Sequence, residues 1–342
     1  MPEHALICPQ CKAPLTAHRF AKSAICSFCG TTVFLEDTNI TSAQFHEALR
    51  FWNAPESYAL TSWITLGNRN WVLEKKIAQG ESTDVYTGRL ARWPTELAVI
   101  KILRKVENEQ YLDNEWETLH QLLRSQATGA DVFSRMIPQP VVYGKATGGA
   151  FSGSKTLILR RESGFHHTFD EVCRHYPEGI PARASIWVWR RILEILTFLH
   201  DSGYVHGAVV PSHLLVQQNE HGVRLIGYGR SGRINNPLDA DRELLRPYCP
   251  TAAKDWKVLS PQLDIVMSAK CIIKMLGGDP ETNTLPTTVP TRLADLIKKY
   301  AQLDAKYPST LNAWSIHQEL GRIADSVYGS PAFIPIEMPH KP

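Results

Sequence analysis

The chain of 342 residues, 38.5 kDa in mass, has room for one mid-sized domain and a small additional module. Its composition, 43% hydrophobic and 21% charged, is typical of a folded globular protein and excludes an intrinsically disordered one. A formal net charge of +3, with no signal peptide and no apolar run long enough to cross a bilayer, predicts a cytoplasmic protein that binds neither nucleic acid nor membrane.

Four of the seven cysteines are concentrated near the N-terminus as two C-x-x-C pairs, Cys8 with Cys11 and Cys26 with Cys29. Each pair can turn two thiolates toward one ion, and two pairs complete the tetrahedral shell that Zn²⁺ prefers. The alternative, four unpaired thiols in a disordered tail, fits poorly with the turn residues beside them. The pattern resembles a zinc ribbon over residues 1–37, which implies a structural zinc that supplies most of the folding free energy.

Residues 38–70 are predicted to form a linker with one short helix. Thr41 can cap a helix whose apolar residues share one face as far as Trp52, and Asn53–Pro55 ends it. The simplest interpretation is a spacer that packs onto the domain that follows. The alternative is a binding surface made of aromatic side chains, namely Phe51, Trp52, Tyr58 and Trp63.

The block Trp71–Tyr86 predicts two strands joined by a turn, and it resembles the first two strands and the glycine-rich turn of a protein kinase. Only the middle glycine of that turn, Gly80, is present, because Ala78 and Thr83 stand at the other two positions. In kinases these glycines let the backbone approach the nucleotide phosphates. Glu81 would repel phosphate, so we expect a poor phosphate cradle here.

The stretch Glu96–Lys101 resembles the V-A-I-K strand of protein kinases, whose lysine points toward the α- and β-phosphates. A helix is predicted over residues 107–123, and Glu115 resembles the helix glutamate that pairs with this lysine. Glu109 is the competing partner, although the apolar spacing that follows it is worse. The pair of Lys101 with Glu115 would be either a remaining nucleotide anchor or a structural salt bridge that fixes the helix.

Two further segments resemble the catalytic motifs of protein kinases but lack their reactive side chains. Tyr204–Val216 is similar to H-R-D-L-x-P-x-N, with Ala208 at the position of the catalytic Asp and His213 at the position of the metal-binding Asn. Arg224–Gly229 is similar to the strand and turn that hold D-F-G, with Gly227 at the position of the magnesium-binding Asp. The resemblance therefore implies a degenerate kinase, or pseudokinase, with no catalytic residue at these positions.

The lost groups are those on which phosphoryl transfer depends. A kinase supplies a carboxylate that accepts the hydroxyl proton, together with an Asp and an Asn that hold two magnesium ions on the phosphates. Alanine and glycine side chains can do neither, and an imidazole is a poor ligand for an oxygen-seeking cation. Loss of one such group can cost several orders of magnitude in rate, so we expect no ordinary kinase activity.

The resemblance to protein kinases covers residues 71–328 and implies an α+β, bilobal fold, with a β-rich N-lobe and an α-helical C-lobe preceded by the zinc ribbon. Ser185–His200 is predicted to be a long buried helix. Asp264 is predicted to cap backbone groups in the core, and His206 to be a hydrogen-bonded structural residue. Residues 329–342 contain several prolines and are predicted to be an extended tail.

These observations favour a protein-binding scaffold or allosteric regulator in bacterial-type signalling. The expected partners of such a scaffold are an active kinase, a phosphatase or a von Willebrand A-domain protein. The domain order is similar to that of zinc-ribbon kinase-like proteins that bacteria encode beside von Willebrand A-domain proteins and metal-dependent Ser/Thr phosphatases. The alternative is an atypical ATP-binding kinase or another transferase with a non-standard mechanism. That alternative depends on a vestigial nucleotide site formed by Gly80, Lys101 and Glu115.

Overall fold

The computed structural model describes most of the chain from Ser62 onward and four short pieces before it. The described residues are 6–7, 14–15, 23–26, 32–34, 62–92, 96–162, 164–217, 221–239, 245–250, 256–304 and 311–339. The helix predicted over 41–52 and three of the predicted zinc ligands, Cys8, Cys11 and Cys29, lie outside them. Across these ranges no helix combines the length and the apolar character needed to span a bilayer.

Two short antiparallel strand pairs form the described part of the N-terminal region. Strand β1 (Leu6–Ile7) pairs with β2 (Pro14–Leu15), and β3 (Ser23–Ile25) pairs with β4 (Thr32–Phe34). In the sequence, the first C-x-x-C pair stands between β1 and β2, and the second stands between β3 and β4. Cys26 directly follows β3 and is fully buried.

The N-lobe is a seven-stranded antiparallel sheet with the order β10-β5-β6-β7-β8-β11-β9. Its strands are β5 (Trp63–Leu66), β6 (Arg69–Gln79), β7 (Thr83–Leu90), β8 (Leu97–Leu103), β9 (Pro140–Lys145), β10 (Gly148–Gly149) and β11 (Lys155–Arg160). The sheet begins at Trp63, inside the segment predicted to be a linker. Sheet pairing therefore extends the kinase-like body before the predicted start at Trp71.

Side chains of the sheet alternate between the small N-lobe core and the cleft. Along β8, Ala98, Ile100 and Ile102 are buried in that core, which also contains Ile64 and Trp71. Because successive side chains of a strand point to opposite faces, Lys101 is directed to the other face of the sheet. This register places a lysine toward the helix that crosses the lobe.

The C-lobe is helical and holds the main hydrophobic core. The α-helices of the described residues are α1 (Glu109–Leu123), α2 (Ala130–Phe133), α3 (Phe169–His175), α4 (Ala182–Asp201), α5 (Pro261–Met275), α6 (Thr291–Ala301) and α7 (Ala313–Tyr328). Helix α1 packs against the N-lobe sheet, and α4 and α5 are buried on most of their surface. The predicted bilobal α+β architecture is present in the described residues.

Short strands at the mouth of the C-lobe carry the segments predicted to be degenerate. Strands β12 (His167–Thr168), β14 (Leu214–Gln217) and β15 (Gly222–Leu225) form one sheet, and β13 (Tyr204–Val205) pairs with β16 (Gly232–Arg233). The segment that contains Ala208 and His213 connects β13 to β14. Gly227 follows β15, so the sheet brings both degenerate segments to the same side of the cleft.

Residues 329–339, which belong to the segment predicted to be an extended tail, have no regular secondary structure and pack against the C-lobe. Ile336 is fully buried, and the carbonyl oxygen of Ile334 accepts hydrogen bonds from Trp187 Nε1 and His221 Nε2 at 3.1 Å each. The His221 ring is stacked between the rings of Trp187 and Phe333. Within the described residues this segment is therefore part of the folded C-lobe.

Candidate functional site in the cleft between the lobes

Lys101 of β8 and Glu115 of α1 form an ion pair at the back of the cleft. Both side chains are largely withdrawn from solvent, with 15% and 3% of their surface exposed. Glu115 follows Leu112 and precedes Leu119 on the face of α1 that packs on the body of the protein. The pair predicted from the sequence is thus present, and it fixes α1 against the sheet.

The competing glutamate, Glu109, has a different partner. It pairs with Lys155 of β11, which also contacts Asp113, and the Tyr143 hydroxyl donates a hydrogen bond to Asp113. These contacts attach the first half of α1 to the outer strands of the sheet. They leave Glu115 as the partner of Lys101.

The loop before β14 is held by Asp264, which lies in the first turn of α5 and is fully buried. Its carboxylate accepts hydrogen bonds of 2.8 Å from the backbone N–H groups of His206 and Gly207, and it lies 3.1 Å from His200 Nε2. Gly207 adopts a left-handed backbone with φ of +73°. The structure confirms the predicted capping role of Asp264, and it explains how the loop keeps its shape without the reactive residues.

His206 is a neutral core residue. Its Nδ1 accepts a hydrogen bond of 3.2 Å from the backbone N–H of Ala208, so its Nε2 donates to the carbonyl of Ile226 at 3.1 Å. Complete burial lowers the pKa of His206 to about 3, against a smaller opposing effect of the Asp264 charge. The prediction that this histidine is structural is confirmed by these partners.

Ala208 and His213 stand at the positions that resemble the catalytic Asp and the metal-binding Asn of kinases, and they contact each other. Ala208 is fully buried, and His213 Nδ1 donates to the Ala208 carbonyl at 2.8 Å. Burial lowers the pKa of His213, which leaves the ring neutral, and the positive charges of Lys101 and Arg230 lower it further. The imidazole is therefore hydrogen-bonded within its own loop and not directed to a ligand.

The same ring occupies the space beside Gly227. A β-carbon added at Gly227 would lie 2.7 Å from His213 Cδ2 and Nε2 and 2.9 Å from Cε1. Gly227 also has a left-handed backbone with φ of +81°, which side chains rarely adopt. The three degenerate positions thus form one packed unit: Ala208 accepts from His213, and His213 fills the volume that an Asp at position 227 would need.

The turn between β6 and β7 is tied down on both sides by arginines. The carbonyl of Gly80 accepts from Arg104 at 2.9 Å, while the carboxylate of Glu81 accepts from Arg230 Nη2 at 2.9 Å with each oxygen. Arg230 comes three residues after Gly227, so this ion pair joins the N-lobe turn to the C-lobe across the cleft. Only 7% of the Arg230 side chain is exposed.

Helix α1 is joined to the same C-lobe segment. Asn114 Nδ2 donates to the carbonyls of Gly229 at 2.9 Å and Ser231 at 2.6 Å. Asp239 forms an ion pair with Arg230 and accepts from the Tyr111 hydroxyl at 2.6 Å. The turn, the helix and the segment after Gly227 therefore form one connected polar network.

Lys101, Glu115, Ala208, His213 and Gly227 lie near one another in the cleft, and Gly80 lies in the turn that Glu81 joins to Arg230. The sequence analysis missed Arg230, Arg104 and the polar residues of α1. The sequence offers only that Arg230 directly follows Gly227-Tyr228-Gly229 and that Glu81 stands in the glycine-rich turn; it does not indicate that the two meet. Among the described residues there is no group of three or more His, Cys, Asp or Glu side chains that could hold a metal ion.

Sequence comparison gives partial similarity to kinases. No protein-family profile matches the chain. It is 28% identical over 120 residues to the B1 kinase of Variola virus, an alignment that covers 32% of this chain and 40% of that protein. It is 25% identical over 138 residues to the serine/threonine-protein kinase chk-1 of Caenorhabditis briggsae, covering 36% and 28%. The chain is thus aligned with less than half the length of these relatives.

Solved structures resemble the chain over a larger part of its length. The structure of vaccinia related kinase 3 matches with a TM-score of 0.58 at 18% identity and covers 86% of this chain and 100% of that one. The BubR1 kinase domain matches with a TM-score of 0.58 at 14% identity and covers 82% and 90%. Together with the two lobes and the cleft described above, these similarities show that the chain has a protein kinase-like fold.

Proposed function

We propose that this protein is a pseudokinase, a kinase-like fold without phosphoryl-transfer activity that serves as a protein-binding scaffold or allosteric regulator in bacterial-type signalling. The observation that carries the proposal is the packing of His213 against Gly227. An enzyme of this fold needs a carboxylate there to hold magnesium on the phosphates. Here a neutral imidazole fills that volume, and Ala208 offers no group that could accept the proton of a substrate hydroxyl.

Two features of the kinase-like body support a binding role. The loop that would carry the catalytic groups keeps its backbone through Asp264, so its loss of function leaves the fold intact. Helix α1 is held inward by Glu115, Asn114 and Tyr111. A loop and a helix held by such contacts can offer a preformed surface to a partner, and preformed surfaces bind with a smaller loss of conformational entropy.

The partners we propose are those expected from the sequence: an active kinase, a phosphatase or a von Willebrand A-domain protein. The zinc ribbon over residues 1–37 would be a second binding element. In the sequence each C-x-x-C pair stands between two strands that pair, and the described ligand Cys26 is buried, which supports four thiolates around one Zn²⁺. Cys8, Cys11, Cys26 and Cys29 would hold the ion in a structural role.

The ion pair of Lys101 with Glu115 favours a second candidate, an atypical ATP-binding kinase or other transferase. In kinases this pair positions the lysine for the α- and β-phosphates. The pair also serves the inward position of α1, which a scaffold needs equally. The pair is therefore compatible with nucleotide binding even in a protein that transfers no phosphate.

Titration with ATP, ADP and a non-hydrolysable ATP analogue, with and without magnesium, tests the proposal. We expect no transfer of labelled phosphate to protein or peptide under any condition. Stabilisation that depends on Lys101, judged by its loss in Lys101→Ala, would indicate a nucleotide-sensing pseudokinase. Magnesium-dependent binding followed by transfer of label would overturn the proposal and favour the second candidate. If no label is transferred, partners would be sought by pull-down with the full chain. The variant Glu115→Gln, which weakens the ion pair that holds α1, would show whether a partner needs α1 in this position.

A further inference from the structure

The segment that follows helix α7 has the composition of an extended ligand. Residues 329–339, called the tail segment from here on, read Gly-Ser-Pro-Ala-Phe-Ile-Pro-Ile-Glu-Met-Pro and have no regular secondary structure. Prolines recur at every fourth position, as Pro331, Pro335 and Pro339. Because proline has no N–H and holds φ near −65°, a segment of this kind favours an extended backbone over a helix or a sheet.

Aromatic side chains of the C-lobe hold the middle of the tail segment. The indole N–H of Trp187 and Nε2 of His221 both donate to the carbonyl oxygen of Ile334, at 3.1 Å each. The His221 ring lies between two other rings, 4.1 Å from the centroid of Trp187 and 4.2 Å from that of Phe333. An aromatic ring that packs on a segment while a ring N–H donates to its carbonyl is a recurring way of binding extended, proline-containing peptides.

The two ends of the tail segment are held in the same manner. The Tyr176 hydroxyl donates to the carbonyl of Glu337 at 2.9 Å, and Arg183 Nη2 donates to the carbonyl of Ser330 at 2.6 Å. Side chains of the C-lobe thus recognise the backbone of the tail segment at its start, middle and end. The surface that supplies these donors is called the tail groove, and it is formed by Tyr176, Arg183, Trp187 and His221.

One side chain of the tail segment anchors it in the protein. Ile336 is fully buried and belongs to the main hydrophobic core, whereas its neighbours Pro335 and Glu337 are exposed. Since every peptide has backbone carbonyls, the donors of the groove select an extended shape, and the pocket of Ile336 selects an aliphatic side chain. A buried anchor combined with backbone hydrogen bonds is the usual basis of peptide recognition.

The junction between α7 and the tail segment is uncrowded. Helix α7 ends at Tyr328, and Gly329 has a φ of +69°. A β-carbon added at Gly329 would meet no described atom within 4 Å. Departure of the tail segment from the groove therefore requires no change in α7, and a separate segment of the same kind would find the same donors and the same pocket.

We infer that the tail groove is a peptide-recognition surface whose ligand in cis is the tail segment. The partner that fits it is a protein with an extended, proline-containing segment in which an aliphatic residue directly follows a proline, as Ile336 follows Pro335. This segment would bind in place of the tail segment. The inference goes beyond the proposed function, because the surface and its class of ligand do not depend on whether the cleft transfers phosphate.

The test measures binding of a labelled synthetic peptide of residues 329–339 to the full chain by fluorescence anisotropy. In wild type the tail segment competes from within the same molecule, at an effective concentration on the order of millimolar. Ile336→Asp and the milder Ile336→Ala remove the anchor of the tail segment in cis. Each variant is expected to bind the peptide at least about tenfold more tightly than wild type. Glu337→Ala, which changes an exposed side chain of the tail segment, is the matched control and should bind as wild type does.

A second substitution tests the groove itself. In the Ile336→Asp chain, Tyr176→Phe removes the hydroxyl that donates to the carbonyl of Glu337 but keeps the ring. The affinity for the peptide should fall about threefold or more, as for the loss of one hydrogen bond. Tyr86→Phe, on strand β7 of the N-lobe, is the matched control and should leave the affinity unchanged.

Four results would overturn the inference. The first is no binding of the peptide to either Ile336 variant, with both shown to be folded by thermal melting. The second is equal binding to wild type and to the variants, and the third is equal binding of a peptide that carries Ile336→Asp. The fourth is a wild-type dimer, seen by light scattering and lost in Ile336→Ala, because the tail segment would then be exchanged between two copies instead of bound in cis.

Discussion

The imidazole of His213 fills the space beside Gly227 that a side chain at position 227 would need, because a β-carbon added there would lie 2.7 Å from the ring. The two residues lie 14 positions apart. The ring fits only because Gly227 has no side chain, and glycine also suits the left-handed backbone at position 227. Introducing an Asp at position 227 alone would therefore disturb a packed core.

Substitution of Gly227 by Asp should destabilise the protein instead of restoring a metal site. The left-handed backbone costs about 1–2 kcal/mol for a side chain, and forcing a β-carbon against the His213 ring costs about 1–3 kcal/mol more. Urea unfolding of Gly227→Asp, His213→Asn and the double variant measures this. We expect the double variant to be more stable than the sum of the single effects predicts, because the smaller Asn relieves the contact. Strict additivity would contradict the packing described here.

Removal of the Asp264 carboxylate should unfold the loop that carries Ala208. In Asp264→Ala the N–H groups of His206 and Gly207 lose their acceptor inside the core, and each buried unsatisfied donor costs about 1–3 kcal/mol. We expect a loss of roughly 2–5 kcal/mol in the free energy of unfolding. Asp295→Ala, an exposed position on α6, is the matched control and should change stability by less than about 0.5 kcal/mol. Equal stability of the two variants would refute the capping role.

Much of this architecture could be predicted from the sequence because its signals are local. The strand of Lys101, the helix of Glu115 and the long apolar helix α4 follow from periodicity and from motifs that extend over a few residues. The hairpin of β5 and β6 was missed, although Gly67 and Asn68, both with positive φ, are a two-residue turn signal between strands. The hairpin lies within residues 38–70, the segment predicted to be a linker.

The remaining features depend on contacts between distant residues, which no local pattern specifies. Glu81 and Arg230 are 149 positions apart, and either could have been an ordinary solvated charge. Ile336 stands among prolines, where the composition indicates an extended segment but not a groove that receives it. In both cases the tertiary fold determines which residues meet. The sequence shows that the residues are present but does not show that they are in contact.

Stability should decline as the pH falls from about 6.5 toward 3. Burial lowers the pKa of His221 and of His206 to about 3 each, below the value near 6.5 of a histidine in the unfolded chain. The unfolded chain therefore takes up protons that the folded chain does not, so this stability is present above pH 6.5 and is lost on acidification. Each of the two should contribute a loss of at most about 2 kcal/mol by pH 5.

The pH effect can be assigned to a residue by substitution. His221→Asn removes the buried imidazole while tolerating the left-handed backbone, φ of +52°, at that position. The variant should be less stable at pH 7.5, because the stack with Trp187 and Phe333 is lost, and it should lose less stability than wild type between pH 7.5 and 5.0. Urea midpoints at both pH values, with the exposed His175→Asn as the control for loss of a histidine, would decide this. An unchanged pH dependence in His221→Asn would show that His221 does not carry the effect.

Zinc removal should separate the N-terminal module from the kinase-like body. A ribbon of about 30 residues buries too little apolar surface to fold alone, so metal binding must supply most of its stability. We expect one zinc ion per chain by elemental analysis, loss of that zinc in Cys26→Ser, and retention in Cys173→Ser, a half-buried cysteine of α3. After chelation, limited proteolysis should cut within residues 1–37 while the body from Trp63 onward stays resistant, because its two cores contain none of the four predicted ligands. A protected N-terminal module in zinc-free protein would contradict the assignment of these cysteines as zinc ligands.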